Sequence, residues 1–328
     1  MNFGFNDEQS EIKSTAKSFA ESRFKPDAVR AQAEKGGFDE DVWKQLCELG
    51  WPGIAISEEY GGQGLGMVEL VILAEELGYA CAPSPFLSNA CAGLALEWAG
   101  SDEQKSAHLE GIATGEARGA VGSPGLFIDA EGAATPIVFD GESARILDPG
   151  SVSFEKLDLI DDTRSYSEPS STDGEALEGD LGPAVYRSLV AVAAELTGVA
   201  QRAMDMAVAY AKERHQFDRP IGAYQAVSHT CAQMLYDVEE ARSLTYYAAW
   251  AADAEPESLP LAAAMAKARA GDAAWSVTKA SIQVHGGIGF TWEHDLHFLL
   301  KRARADAELF GTAGEHRNKV AELIGMAA

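Results

Sequence analysis

Two short stretches in the C-terminal half carry residue types that can grip an anionic, aromatic ligand. Arg214-His-Gln216-Phe217-Asp-Arg-Pro220 ends at a proline that forbids continuation of a helix, so Arg214 sits at a helix end. Its guanidinium there offers five donors in a fork that pairs two-pronged with phosphate oxygens. Gln283-Val-His285-Gly286-Gly287 places a side chain that both donates and accepts one turn ahead of two residues lacking a Cβ, where a backbone can pass close to a ligand. Residue type alone leaves plainer readings open. Arg214 could be a solvated cation complementing the helix C-terminus, Phe217 could be core, and the glycine pair could be a C-cap beside a surface glutamine. The pair is not a dinucleotide fingerprint, since it follows a helical pattern and lacks the G-x-G-x-x-G spacing.

Acid–base chemistry has fewer candidates. Phe310, in Leu309-Phe310-Gly311-Thr312, has a ring that cannot accept a proton. The Ser188 hydroxyl has no histidine adjacent in sequence and is a poor base at neutral pH. Glu195, Asp306 and Glu308 are carboxylates in helical context, read as surface or interhelical groups. Cys47, Cys81, Cys91 and Cys231 are scattered, without a C-x-x-C pair or histidines at ligand spacing, which argues for reduced, buried thiols and against a disulfide framework or a metal site.

A formal charge of -25 repels nucleic acid and anionic lipid headgroups, so any anionic ligand must be held by locally placed cations. The 328 residues, 46% hydrophobic and 23% charged, support a buried core spread over two or three small domains. The polar, acidic start and the absence of an apolar run near 18 residues point to a cytoplasmic, membrane-free protein.

The elements that must position these residues follow from periodicity. Residues 1–116 read as a helical domain: Phe19, Val42-Trp43, Leu46, Leu49 and the run from Val68 to Leu77 recur at helical spacing, and glycine-rich Tyr60-Gly-Gly-Gln-Gly64 forms a loop. Residues 117–182 read as a small β region followed by a connection. Gly125 to Ile128, Thr135 to Phe139 and Ala144 to Leu147 are its strands, and the segment from Asp161 to Gly182, poor in apolar residues, is expected to be exposed and partly mobile. Residues 183–328 read as a four-helix, bundle-like domain. Val185, Leu189, Val192, Leu196, Val199, Ala203, Met206 and Tyr210 form one apolar stripe, two further helices run from Ala223 to Ala252 and from Leu259 to His285, and Thr312-Ala-Gly-Glu315 is a capping box for the last.

The Arg214 to Gln225 stretch, the Gln283 to Phe290 stretch, Phe310-Gly311-Thr312 and the Tyr60 to Gly78 region, taken in that register, resemble the acyl-CoA dehydrogenases. The resemblance implies a mainly α fold with an N-terminal helical domain, a reduced middle β domain and a C-terminal four-helix bundle, and it implies FAD as cofactor. It also implies that Arg214 reaches across a dimer interface to the FAD pyrophosphate, that Gln216 and Phe217 contact the same cofactor, and that Gln283, Gly286 and Gly287 meet its adenosine half. The sequence departs from the family at Asp218, usually glycine. It departs again at Phe310, which stands where the usual catalytic glutamate lies, and at Ser188, ten residues ahead of Gly198, where other members carry that glutamate. The Thr/Ser-rich and Trp-Ile-Thr-like strands that hold the flavin ring and thioester are not found.

Both absences resemble the shorter, base-lacking subunit of actinobacterial α2β2 acyl-CoA dehydrogenases of steroid side-chain degradation. That likeness implies a paralogous partner carrying the glutamate, an acyl-CoA substrate desaturated between its α and β carbons, and electron-transfer flavoprotein or a similar acceptor. Two rivals are a non-catalytic assembly subunit without FAD contacts and a homodimeric flavoprotein with a relocated base.

Overall fold

A computed structural model describes residues 4–326. The N-terminal part comprises α1 (Asp7–Arg23), α2 (Pro26–Lys35), α3 (Glu40–Glu48), α4 (Met67–Tyr79), α5 (Phe86–Ala99) and α6 (Asp102–Thr114). Local chemistry sets several of their ends. Asn6 with Gln9 and Ser101 with Gln104 form capping boxes for α1 and α6, and Pro26 occupies the first turn of α2, where its missing N–H costs nothing.

The middle part is a sheet of seven strands: β1 (Gly119–Ser123), β2 (Leu126–Ile128), β3 (Thr135–Asp140), β4 (Ser143–Leu147), β5 (Phe154–Lys156), β6 (Tyr166–Pro169) and β7 (Gly174–Ala176). Their order is β5-β6-β2-β1-β3-β4-β7, with β1 and β3 parallel and the other neighbours antiparallel. Alternation divides the faces, as a period of two requires. Val121, Ile137 and Ile146 join the main core under the helices, while Ala120, Val138 and Leu147 pack with Phe127 and Val152 on the other side. Buried Ser88 and Asn89 tie α5 to this sheet, Ser88 Oγ donating to the Ile128 carbonyl at 2.9 Å and Asn89 Oδ1 accepting from the Gly119 amide at 2.9 Å.

The segment from Asp161 to Gly182 divides in two: from Ser170 onward it is mostly exposed, as its composition suggests, but residues 161–169 are largely buried. It supplies β6 and β7, and Asp161, Thr163, Arg164 and Tyr166 are buried. The reason is that the burial here is polar: Thr163 and Tyr166 hydroxyls donate to Asp161, and Arg164 enters a network of buried ion pairs. A rule that equates few apolar residues with solvent exposure misses this.

The C-terminal part consists of α7 (Gly182–Glu213), a two-strand hairpin of β8 (His215–Gln216) and β9 (Arg219–Pro220), α8 (Gln225–Ala254), α9 (Leu259–His285), α10 (Leu296–Glu308) and α11 (Ala313–Leu323). The helical context expected for Asp306 and Glu308 is α10, whose bounds the sequence reading did not give, between a glycine-rich turn and the Phe310 turn. The long helix α7 crosses α4 closely enough that a Cβ added at Gly198 would lie 2.0 Å from the Glu75 carbonyl oxygen, and one at Gly78 would lie 2.2 Å from that of Glu195. These two glycines let the backbones meet and fix the height of Glu195 within the core. The Thr312 and Glu315 capping box is present as expected from the sequence. Among the described residues no helix is long and apolar enough to cross a membrane, and all four cysteines are free.

Candidate functional site

Helices α7 and α9 run side by side in the same direction. Ser281 Oγ donates to the Ala203 carbonyl at 2.7 Å, and further along both helices the rings of Tyr210 and His285 stack at 4.4 Å. Their C-terminal ends are therefore neighbours, and the two stretches singled out by residue type come to one end of the bundle.

At the end of α7, Arg214 leaves the helix in extended conformation, and its carbonyl accepts from the Ile221 amide at 2.8 Å, which closes the hairpin. The hairpin turn is Phe217-Asp218, with φ of 52° and 63°. Two consecutive left-handed residues make the turn whose twist suits a two-residue hairpin. This gives the glycine expected at Asp218 a backbone reason, and aspartate is among the few side chains that tolerate the region. Tyr224 steadies the hairpin by donating its hydroxyl to the Gln216 carbonyl at 3.0 Å, with Arg219 above its ring. Phe217 is 87% exposed, so the plainer reading of it as core fails. Among the described residues, the Arg214 guanidinium has no ion pair or side-chain hydrogen bond, and it is exposed.

At the end of α9, Gly286 takes φ 63°, and a Cβ at either Gly286 or Gly287 would meet nothing within 4 Å. Gln283, Gly286 and Gly287 are exposed. Beside them Ile288, Phe290 and Trp292 are 44%, 83% and 69% exposed, a concentration of apolar rings that the sequence reading did not single out. The bundle end thus offers an unpaired planar cation, an amide, open glycine backbone and uncovered aromatic surface. This set fits a large aromatic ligand bearing phosphates, because the Arg214 charge has no ion-pair partner among the described residues and the Phe217, Phe290 and Trp292 rings stay largely exposed despite edge contacts of Phe217 with Tyr224 and of Trp292 with His297.

The two positions at which a base would be sought are closed. Phe310 takes φ 55°, a left-handed conformation uncommon for a bulky residue. Its ring packs on Phe139 with centroids 5.4 Å apart, and its carbonyl accepts from His316 Nε2 at 3.1 Å. Buried Lys267 donates to the carbonyls of Ala307 at 2.8 Å and Gly311 at 3.0 Å, tethering the same turn, and burial pushes its ammonium down to about 8. Ser188 is fully buried and donates its hydroxyl to the Ala184 carbonyl at 3.0 Å.

The interior beside these positions is filled by charge. Arg164 pairs with Glu195 at 2.8 Å, Asp306 at 2.6 Å and Asp129 at 3.4 Å, and Arg302 pairs with Glu195 at 2.6 Å and Asp161 at 2.8 Å. Four carboxylates share two guanidiniums, and their environments separate them. Burial, only partly offset by Arg164, pushes Asp306 well above the usual carboxylate range and raises Asp129. Glu195 is held low by Arg164 and Arg302 although burial opposes it, and Asp161 is held low chiefly by Arg302 against the same penalty. Of the four, Asp306 is the carboxylate whose charged form its surroundings disfavour most.

Of the two alternatives that the sequence left for Glu195 and Asp306, surface or interhelical, the structure selects the second, while Glu308 is exposed and pairs with Arg304. A void of only about 10 Å³, lined by Leu77, Phe86, Leu87, Arg164 and Glu195, remains beside this network, room for no more than a water.

The acyl-CoA dehydrogenase N-terminal domain matches residues 6–116 and the acyl-CoA dehydrogenase C-terminal domain matches residues 186–325. Over 317 residues the chain is 34% identical to acyl-CoA dehydrogenase IpdE2 of Mycolicibacterium smegmatis, covering 96% of this chain and 98% of that one. The chain belongs to the acyl-CoA dehydrogenase family. Since the alignment spans nearly the whole of both chains, acyl-CoA dehydrogenase IpdE2 shares the short middle domain. Among solved structures, a variant of the Tcur3481-Tcur3483 steroid ACAD superposes with a TM-score of 0.87 at 26% identity, covering 97% of this chain and 98% of that one. The ChsE4-ChsE5 complex from Mycobacterium tuberculosis has the same fold, with a TM-score of 0.86 at 22% identity over 100% of both chains. The family's members are FAD-dependent oxidoreductases, and solved FAD complexes occur among the structural neighbours.

Proposed function

We propose that this acyl-CoA dehydrogenase family chain is the base-lacking subunit of a heteromeric, FAD-dependent enzyme that desaturates a CoA thioester between its α and β carbons, with a steroid-derived acyl group as substrate. The carrying observation is the contrast between its two regions: the end of the bundle is open with an unpaired cation, whereas Ser188 is fully buried and Phe310 is a half-buried ring held against Phe139. Support for the substrate class and for pairing comes from the relatives that carry a steroid assignment and a two-component name.

When bound, FAD supplies the acceptor for the hydride leaving the β carbon. Arg214 would hold its pyrophosphate by charge-assisted hydrogen bonds, Gln216 and Phe217 would hydrogen-bond and cover it, and Gln283, Gly286 and Gly287 would border its adenosine half. Removal of the α proton falls to a glutamate of a paralogous partner, because neither Phe310 nor Ser188 can take it. Reoxidation would fall to electron-transfer flavoprotein or a similar acceptor.

The test is reconstitution with the partner subunit, followed by Arg214→Ala. A charge-assisted hydrogen bond is worth about 1.5–3 kcal/mol, so FAD retention should weaken by about tenfold to more than a hundredfold while the assembly persists. Unchanged flavin affinity and turnover in the variant complex would replace this reading with that of an assembly subunit that never touches FAD.

A further inference from the structure

We propose that a cavity where the N-terminal helices meet the bundle binds a small hydrophobic carboxylate. It lies among the end of α1, the start of α2, the end of α4, the middle of α7 and the start of α10, with a volume of about 210 Å³. An apolar interior cavity of about 150 Å³ accommodates benzene, so this one has room for a somewhat larger ring system but not for a whole CoA thioester.

Its floor is apolar, formed by Phe24, Val29, Phe298 and Leu299, all buried, with Met206 beside them. Its mouth carries Lys17, Lys25 and Arg202, and among the described residues none of the three has an ion-pair partner. The acids that reach the cavity are mostly committed. Glu76 pairs with Lys13 at 3.2 Å and Asp295 pairs with Arg30, which leaves Glu21 as the acid without a partner. With Asp205 beside Arg202 counted as well, three cations face two acids that have no ion pair, which leaves a small local surplus of positive charge in a chain whose formal charge is -25.

That contrast favours an anion, since a net charge of -25 leaves few places on the chain that attract one. Arg202 is half-buried, its guanidinium 5.3 Å from the centroid of the Tyr79 ring, while the Tyr79 hydroxyl is engaged by Asp205 at 3.0 Å. The planar fork of an arginine so placed suits a carboxylate two-pronged, with the ligand's ring on the apolar floor. A neutral hydrophobe would leave the cations unmatched. The site is separate from the flavin-facing set, since Arg202 precedes Arg214 on the same helix by about 18 Å of rise.

Calorimetric titration of the full chain, alone and in complex with its partner subunit, tests this with 1-naphthoate and its neutral analogue 1-naphthalenemethanol. The expected result is saturable one-to-one binding of the carboxylate in both forms, at least tenfold weaker binding of the alcohol, and at least a tenfold loss for Arg202→Met and Lys17→Met at unchanged thermal midpoint. Both variants replace a side chain at the cavity mouth, so folding is expected to persist, and the midpoint verifies it. Lack of saturation at millimolar ligand, equal affinity for acid and alcohol, or binding that survives both substitutions would overturn the proposal. Loss of naphthoate binding on formation of the complex would assign the cavity to the partner's surface and overturn it as well.

Discussion

On the proposed function, Phe310 leaves this chain without a proton acceptor at the turn, and the structure holds the residue firmly in place. Its left-handed backbone is tethered by His316 and Lys267, and its ring is seated on Phe139. Restoring the carboxylate alone should therefore not restore chemistry. Phe310→Glu in the reconstituted complex is expected to leave turnover at or below the parent value, because a carboxylate at this half-buried turn replaces the ring contact with Phe139 without bringing a flavin ring and a thioester within reach. Flavin content and dehydrogenation rate per complex measure this, and a clear gain in both would show that the chain keeps a complete pocket.

Lys267 gives a pH test of the same turn. Folding lowers its pKa from 10.5 to about 8, so between those values the native chain binds fewer protons than the unfolded one. Its contribution to stability is least favourable below about 8 and improves as pH rises through that window. Denaturation midpoints of parent and Lys267→Met should accordingly converge in the parent's favour between pH 8 and 10.5, and parallel curves across that range would contradict the assignment.

At the scale of elements, the network of Arg164, Arg302, Asp129, Asp161, Glu195 and Asp306 ties the sheet region to α7 and α10 by ion pairs in addition to the shared apolar core. Removing one base leaves several buried carboxylates without compensation. Arg164→Leu is expected to cost about 3–5 kcal/mol, the usual consequence of breaking a buried ion pair from one side. Glu308→Gln, which disturbs only an exposed pair with Arg304, should change stability by less than about 0.5 kcal/mol. Chemical denaturation of the two variants compares these, and similar small losses in both would mean that the network is idle in the folded state.

For the whole molecule, the open end of the bundle leaves the proposed flavin-contacting groups on open surface, beside a groove lined by Val208, Ala211, Pro220 and Cys231. Flavin binding needs most of the ligand's surface buried. Purified alone, the chain is expected to be colourless, with visible flavin absorbance arising only on mixing with its partner subunit and FAD. A stoichiometric yellow complex of the chain by itself would favour a homodimeric flavoprotein instead.

Much of this architecture was legible in the residues themselves. The apolar stripe from Val185 to Tyr210 specifies α7 because helical spacing collects those side chains on one face, and the Thr312 and Glu315 capping box specifies the start of α11 through purely local hydrogen bonds. The types of Arg214, Gln283 and the glycine pair, and the lack of a base at Phe310, likewise needed no coordinates. Three things came only from tertiary structure. The parallel course of α7 and α9 brings Arg214 beside Gly286; the close crossing at Gly78 and Gly198 sets Glu195 in the core; and the fold of Asp161 to Gly182 buries Arg164 among carboxylates from α7, α10 and the sheet region. Each depends on partners far apart in the chain. Local spacing determines which face of an element is apolar, but whether a charged side chain ends in water or against an opposite charge is decided by what the rest of the chain packs against it.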